Sequence, residues 1–406
     1  MTRLVLFDDG VARRWAPFSL TRPVGELMFG CMTLRERAER VFSAPCLGHV
    51  SRRALVGFDE PGSAPGLSPD QVDDSYTRVV LSSRAVLALT DFDIPPGPAR
   101  IVVAGRPVGW ILPPGAPLPS DLSLRDPGVD PAPDPTLVLE GRILDRPWDL
   151  VEQNAERIAS DIERLWPEAS DVDGAIRIGS GTVSLGEGAS IEPGVVLDTT
   201  GGPIRLADGA SVQGPARLVG PLFIGRDSQI FGGVITTSSI GPVCKIRGEV
   251  SDSVLTGYCN KAHDGYLGHA LTGRWVNLGA MTTNSDLKNN YGNVRVWTPD
   301  GDVDTGLMKV GCFLGDHVRT GIGTVLNTGT VVGAGSNLFG GAMPPVAVPA
   351  FSWGSGAELQ EYRLDKFLET AARAMARRDV ELTPGVRAIL ERGWETTARS
   401  RSERGG

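Results

Sequence analysis

The 406-residue sequence has no run of about 18 apolar residues, so no segment reads as a membrane-spanning helix and no membrane partner is expected. Its start, MTRLVLFDDG, lacks the charged-then-apolar pattern of a signal peptide, which places the expected compartment in the cytoplasm. The five cysteines (Cys31, Cys46, Cys244, Cys259, Cys312) never form C-x-x-C and are odd in number, so neither a disulfide framework nor a zinc cluster is indicated. Basic excess is also missing. A net charge of -8 argues against nucleic acid as a partner, because phosphates are drawn to a positive face. What is present is 41% hydrophobic and 22% charged residues, the balance of a folded chain, with 52 Gly and 30 Pro demanding frequent turns.

The length fits more than one core. Residues 1–144 read as mixed α/β: Leu4 to Phe7 is a short apolar run closed by Asp8-Asp9-Gly10, and Arg78 to Ser82 and Ile101 to Ala104 have the same look. Thr33 to Glu36 is a capping box opening a helix through about Phe42. The Pro-rich segment 113–136 reads as loop, and 145–170 as a linker helix with Trp148, Val151, Ala155, Ile158, Ile162 and Leu165 on one face.

From 171 to 343 the period changes to six. Leu185, Ile191 and Leu197 are followed by Leu206, Val212, Leu218, Ile224 and Ile230, then, after a phase shift, by Val234, Ile240 and Ile246. The period returns as Met308, Leu314, Thr320, Leu326, Val332 and Leu338. Six residues make one short strand and one turn, so three hexads close a triangular rung and the aliphatics point inward: a left-handed parallel β-helix. A right-handed β-helix would not give strict hexads. The coil is expected to stop at Pro344-Pro345, with 344–406 forming helices over 357–378 and 384–398 and a frayed RSERGG end.

Between about 247 and 307 the hexads fail, and the segment is rich in His, Asn, Lys and Tyr. Its polar company makes His263 a candidate base, whereas His269 and His317 read as readily as packing residues.

Lys261-Ala262-His263, Tyr266-Leu267-Gly268 and Val276-Asn277-Leu278-Gly279-Ala280 resemble the acetyltransferase half of the bifunctional N-acetylglucosamine-1-phosphate uridylyltransferase and glucosamine-1-phosphate acetyltransferase family. The resemblance implies His263 as catalytic base, Tyr266 and Asn277 as substrate contacts, and a second asparagine at Asn284 or Asn290. It departs at Glu249-Val250-Ser251-Asp252, where the family has a phosphate-binding lysine in place of Ser251; Lys261, Lys288 or Arg247 would then supply the charge. Acetyl-CoA is the implied co-substrate, with Gly329, Gly333, Ala334 and Gly335 letting pantetheine lie close to the coil, although glycine there equally serves the turns. A base is worth about 10²–10⁴-fold in such a transfer and an oxyanion donor about 10²–10³-fold. The competing reading is zinc held between subunits. His263 and His269, six apart, lie on consecutive faces and suit it poorly.

The family's nucleotidylyltransferase domain would occupy the first half, in a divergent branch, since the usual glycine-rich loop is absent after Phe7. There Arg13, Arg14 and Arg22 are candidates for nucleotide phosphates, and Asp8 or Asp9 for Mg²⁺, against the alternative of ordinary turn residues. The combined expectation is a cytoplasmic homotrimer in nucleotide-sugar and cell-envelope synthesis. Its substrates would be an aminosugar phosphate, acetyl-CoA and a nucleoside triphosphate, and its product a UDP-N-acetylglucosamine-like sugar nucleotide. The rivals are a nucleotidylyltransferase whose coil only assembles the trimer, and a non-catalytic sugar-nucleotide-binding scaffold.

Overall fold

The computed structural model describes residues 1–90, 92–95, 97–129 and 135–404. Among them, the first domain is a seven-stranded sheet in the order Thr136–Leu139, Ala99–Val103, Arg106–Leu112, Thr77–Ser82, Thr2–Phe7, Cys46–Val50, Gly66–Leu67. Thr2–Phe7 pairs in parallel with Cys46–Val50 and Thr77–Ser82, and Arg106–Leu112 is antiparallel to both its neighbours. Strand alternation puts Leu4 and Leu6 on one face against the Leu34–Phe42 helix and Val5 and Phe7 on the other against Trp110. That helix opens on the expected capping box, Thr33 with Glu36. The α/β class is as expected.

Within the Pro-rich segment a short helix, Asp121–Arg125, stands where only loop was expected, because Ser120 caps it by accepting from the Ser123 N–H. Residues 130–134 of that segment lie outside the described residues. The linker splits into Asp149–Glu152 and Asn154–Leu165. It fastens the halves together: the Asn154 carboxamide accepts from Gly30 N–H at 2.9 Å and donates to the Ser239 hydroxyl on the coil at 3.0 Å. Trp148 packs edge-on against Phe313, and Trp166 stacks on Phe223.

The remainder is a parallel β-helix. One side is a ladder of short parallel strands running from Val183–Leu185 to Ala347–Val348. Leu197, Leu206, Val212, Leu218, Ile224, Ile230, Ile240, Ile246, Leu314, Leu326, Val332 and Leu338 all point into its core, as the hexads require. Two do not. Val234 is 40% exposed and Met308 56%, with Ile235 filling the interior place expected of Val234. The cause is rung length: Leu206 pairs with Ile224 18 residues on, but Ile240 pairs with Leu255 only 15 on, and the change is absorbed by a register shift between Ile230 and Gly233. Met308 belongs to an excursion. After Asn284 the chain leaves the coil for a hairpin, Arg295–Thr298 with Gly301–Asp304, and returns at Phe313, the next-rung partner of Leu271.

The coil continues past Pro344-Pro345, since Ala347–Val348 still pairs with Val331–Val332 and Ser352–Ser355 with Asn337–Leu338. The first part of the expected 357–378 helix is strand Glu358–Glu361, and the helix runs Leu364–Ala376. Pro384–Thr396 follows with Thr383 as cap. Phe351, Phe367, Val386 and Leu390 close the end of the coil. Instead of fraying, the last described residues form Ala398–Arg404, held by an Arg401 to Glu361 ion pair at 2.9 Å; residues 405–406 lie outside the described residues. Among the described residues no helix is long and apolar enough to cross a membrane.

Candidate functional site

Each rung turns its corners through the left-handed backbone region, usually reserved for glycine. At one corner the residues on successive rungs are Thr237 (φ 44°), Asp252 (φ 47°) and His269 (φ 47°). Non-glycine residues in this conformation recur along the coil, at Asp227, Val243, Tyr258, Trp275 and His317 among others, so it is the polar side chains of this corner and not its backbone that set it apart. The Thr237, Asp252 and His269 side chains form a polar ladder on the wall of a cavity of about 300 Å³, closed by Trp148, Phe313 and the returning Leu307–Lys309 segment.

His269 is the group this ladder prepares. Its Nδ1 lies 2.7 Å from Asp286 Oδ2, and the Tyr266 hydroxyl donates to the same oxygen at 2.7 Å. Burial pushes the Asp286 carboxyl up, but hydrogen bonds from His269 and Tyr266 outweigh it and hold the carboxyl below its usual range. Burial, with Asp286, pushes the Tyr266 phenol up, so it stays a donor. An ionised carboxylate only accepts, so Nδ1 carries a proton, and Nε2, 4.0 Å from Asp252 Oδ2, is the ring nitrogen that Asp286 leaves unengaged. An imidazole oriented by a carboxylate, with a free nitrogen in a partly apolar cavity, is equipped to take a proton. The signal was in the numbering: Asp252 and His269, 17 apart, stack on one corner, and Asp286, 17 further on at the start of the excursion, reaches the same imidazole.

The other expected site residues scatter. His263 is exposed and, among the described residues, has no side-chain hydrogen bond or ion pair. Lys261 is no phosphate anchor: it pairs in register with the core residue Ile246, points inward, and donates to the Arg247 and His263 carbonyls at 2.8 and 2.7 Å. Asn284 is 2% exposed and spent on the Gly268 backbone, accepting from its N–H at 2.8 Å and donating to its carbonyl at 2.9 Å. Lys288 and Asn290 sit in the exposed excursion, Lys288 on the Asn293 carbonyl and Asn290 accepting from Gly292 N–H. Asn277 faces a different cavity, beside Asn260.

Burial lowers the Lys261 ammonium to about 8. Because the folded value lies below the free one, the unfolded chain binds more protons between pH about 8 and 10.5, and stability contributed through this group rises across that window. Urea unfolding at pH 7.5 and 9.5 is expected to show a gain for the wild type that Lys261→Met lacks.

The first-domain candidates are consumed by structure. Asp8 accepts from the Val24 N–H and the Ser51 hydroxyl. Asp9 is paired with Arg84 at 2.7 Å and caps the Val11 and Ala12 N–H groups. With their oxygens so engaged, these carboxylates do not fit a Mg²⁺ site. Arg22 is fully buried between Glu60 (2.8 Å) and Asp316 (3.3 Å), unable to meet a nucleotide. Arg13 is tied to the Asp8 carbonyl and Asp121, and Arg14 to Asp300. Arg13 and Arg14 nevertheless share a cavity of about 210 Å³ with Arg52, Gly333 and Ala334. Gly333 is open to it, and a Cβ there would meet the Ala350 nitrogen at 2.2 Å, so close rung packing also requires this glycine. Gly329 and Gly335 are covered, by the Arg295 backbone and by Phe351, and offer pantetheine no surface.

Residues 4–90 match the family described as sugar nucleotidyl transferase. A bifunctional sugar-1-phosphate nucleotidylyltransferase/acetyltransferase of Sulfurisphaera tokodaii is 33% identical over 95 residues, 23% of this chain and 24% of the relative. The uncharacterised acetyltransferase YaiX of Escherichia coli is 25% identical over 150 residues, 36% of this chain and 64% of the relative. The matches therefore span less than two thirds of either curated relative. Among solved structures, an acetyltransferase-like protein of Bacillus cereus (11% identity, TM-score 0.22, 56% of this chain and 99% of that one) and the Arabidopsis UDP-N-acetylglucosamine acyltransferase (13%, TM-score 0.16, 56% and 97%) are distantly similar.

Proposed function

We propose that the coil transfers an acyl group, acetyl in the simplest case, from CoA to the amine of an aminosugar phosphate, with His269 as the base. The observation that carries this is the His269–Asp286 pair opening Nε2 into the cavity. The amine nitrogen attacks the thioester carbonyl and passes a proton to Nε2; as the tetrahedral intermediate collapses, the C–S bond breaks and the proton leaves with the CoA sulfur. Asp286 holds the ring and offsets the charge of the imidazolium. Lys309 on the cavity wall is outnumbered by Glu152 and Asp252, so the wall suits the amine of the substrate. Trp148 and Phe313 wall both this cavity and the neighbouring one that reaches Arg14, a path of the right character for pantetheine.

The sugar nucleotidyl transferase match supports a nucleotidylyl step in the first domain, giving a UDP-N-acetylglucosamine-like product, although Asp8, Asp9, Arg13 and Arg22 are not the residues to perform it. A homotrimer is part of the proposal, since the coil's flat sides suit packing against copies of themselves. His263 as base is the second reading. It is favoured by the family motif and, being exposed, needs a neighbouring chain to complete its site.

The test is CoA release from acetyl-CoA with glucosamine-1-phosphate, UTP and Mg²⁺, each omitted in turn. Release is expected to require the amine and not UTP, and His263→Ala to retain the rate within about tenfold, a smaller loss than that of a general base. Absence of amine-dependent release overturns the acyltransferase reading, and collapse of the rate in His263→Ala moves the base to His263.

A further inference from the structure

A second cavity, of about 240 Å³, lies at another corner of the coil, between its wall and the C-terminal helix Leu364–Ala376. Arg319 enters from the coil; Arg373, Arg377 and Arg378 come from the helix and its end. Asn260 and Asn277 add amides, and no carboxylate is among the lining residues. Only Arg373 is paired, with Glu369. Among the described residues the side chains of Arg319, Arg377 and Arg378 have no hydrogen-bond or ion-pair partner, and the Arg378 Nε is buried without one.

Basic residues at a helix C-terminus complement the helix dipole, which accounts for a bias toward arginine at 373–378. It does not account for Arg319, which sits on the opposite wall and is partly buried facing like charge. Burial, and after it Arg377, lowers the Arg319 guanidinium's proton affinity against an opposing pull from Tyr362. The Tyr258–Trp275 stack, centroids 4.2 Å apart, makes a rigid floor.

We infer that this arginine pocket binds the phosphate of a phosphate ester. Guanidinium forks match phosphate oxygens in pairs, amides complete the hydrogen bonding, and the volume admits more than a bare ion. The inference stands independently of His269.

Calorimetric titration of the full-length chain at low salt with inorganic pyrophosphate is the test, repeated on Arg319→Gln, Arg377→Gln and, as a control, Arg363→Gln, an exposed arginine outside the pocket paired with Asp365. Saturable binding is expected, weakened at least about tenfold in Arg319→Gln and Arg377→Gln and unchanged in Arg363→Gln. Displacement by glucosamine-1-phosphate or by CoA supports the inference and identifies which ester is held. No saturable binding, equal affinity in the variants, an equal loss in the control, or displacement by neither ester overturns it. So does light scattering that shows the two variants changing the oligomer's mass without changing pyrophosphate affinity, because the arginines would then be meeting a second copy. Arg377 is exposed, so its variant carries the test if Arg319→Gln fails to fold.

Discussion

His269→Asn is expected to slow acyl transfer at saturating substrates by about 10²–10⁴-fold while leaving the fold intact. Asparagine tolerates the left-handed corner better than other non-glycine residues, so the rung at 269 keeps its backbone. Asp286→Asn should also be slow, because an amide no longer selects the Nδ1–H form and the Nε2 lone pair is lost in part of the molecules. The two effects should overlap and not multiply, since both act through one imidazole. Tyr266→Phe should be the mildest of the three, removing one of the two donors to Asp286 and nothing from the cavity. Steady-state kcat with acetyl-CoA and an aminosugar phosphate reads all three. A His269→Asn rate within threefold of wild type, on the order of 0.6 kcal/mol of barrier, would remove His269 from the chemistry.

Glu60→Ala is expected to destabilise the chain by about 3–5 kcal/mol, the cost of leaving buried charge without its partner. Glu60, from the first domain, is ion-paired with Arg22 at 2.8 Å and accepts from Arg274 of the coil at 3.2 Å and from the Trp275 indole at 3.1 Å. Arg22 is fully buried and left with Asp316 alone after the substitution. Burial pushes the Glu60 carboxyl up, but Arg22 and Arg274 outweigh it and hold the group below the usual value. The unfolded chain therefore binds more protons in acid: this contribution is full above the ordinary carboxylate pKa and fades as pH falls through the folded one. Urea unfolding at pH 7 followed by tryptophan fluorescence, with Trp275 at the junction, measures the loss. A change below about 1 kcal/mol would mean that water reaches Arg22 after all.

The coil was legible because its period is backbone-driven: any sequence placing an aliphatic every sixth residue among glycines has few other ways to bury it. The phase slip at Val234 was visible, but its meaning was not, since a rung shortened from 18 residues to 15 alters which neighbour points inward without altering composition. Lys261 was misplaced for the same reason, taking an interior register that hexads normally give to Ile or Leu. In the first domain, Asp8, Asp9 and Arg22 had the types of a phosphate site, yet their partners are at Ser51, Arg84 and Asp316. Pairings so distant in sequence leave no local pattern. The interruption did point to the region that holds His269 and Asp286; the motif within it drew attention to His263, six residues before the better-partnered histidine.

The corner ladder of Thr237, Asp252 and His269 has a consequence for how such a site can change. Its spacing is fixed by main-chain bonds, Asp252 N–H to the Thr236 carbonyl and His269 N–H to the Ser251 carbonyl, in which no side chain takes part. Identity and position are thus separable there: the backbone offers a column of equivalent sockets about 4.8 Å apart, and evolution can promote, demote or relocate a reactive group by whole steps while the architecture stays put.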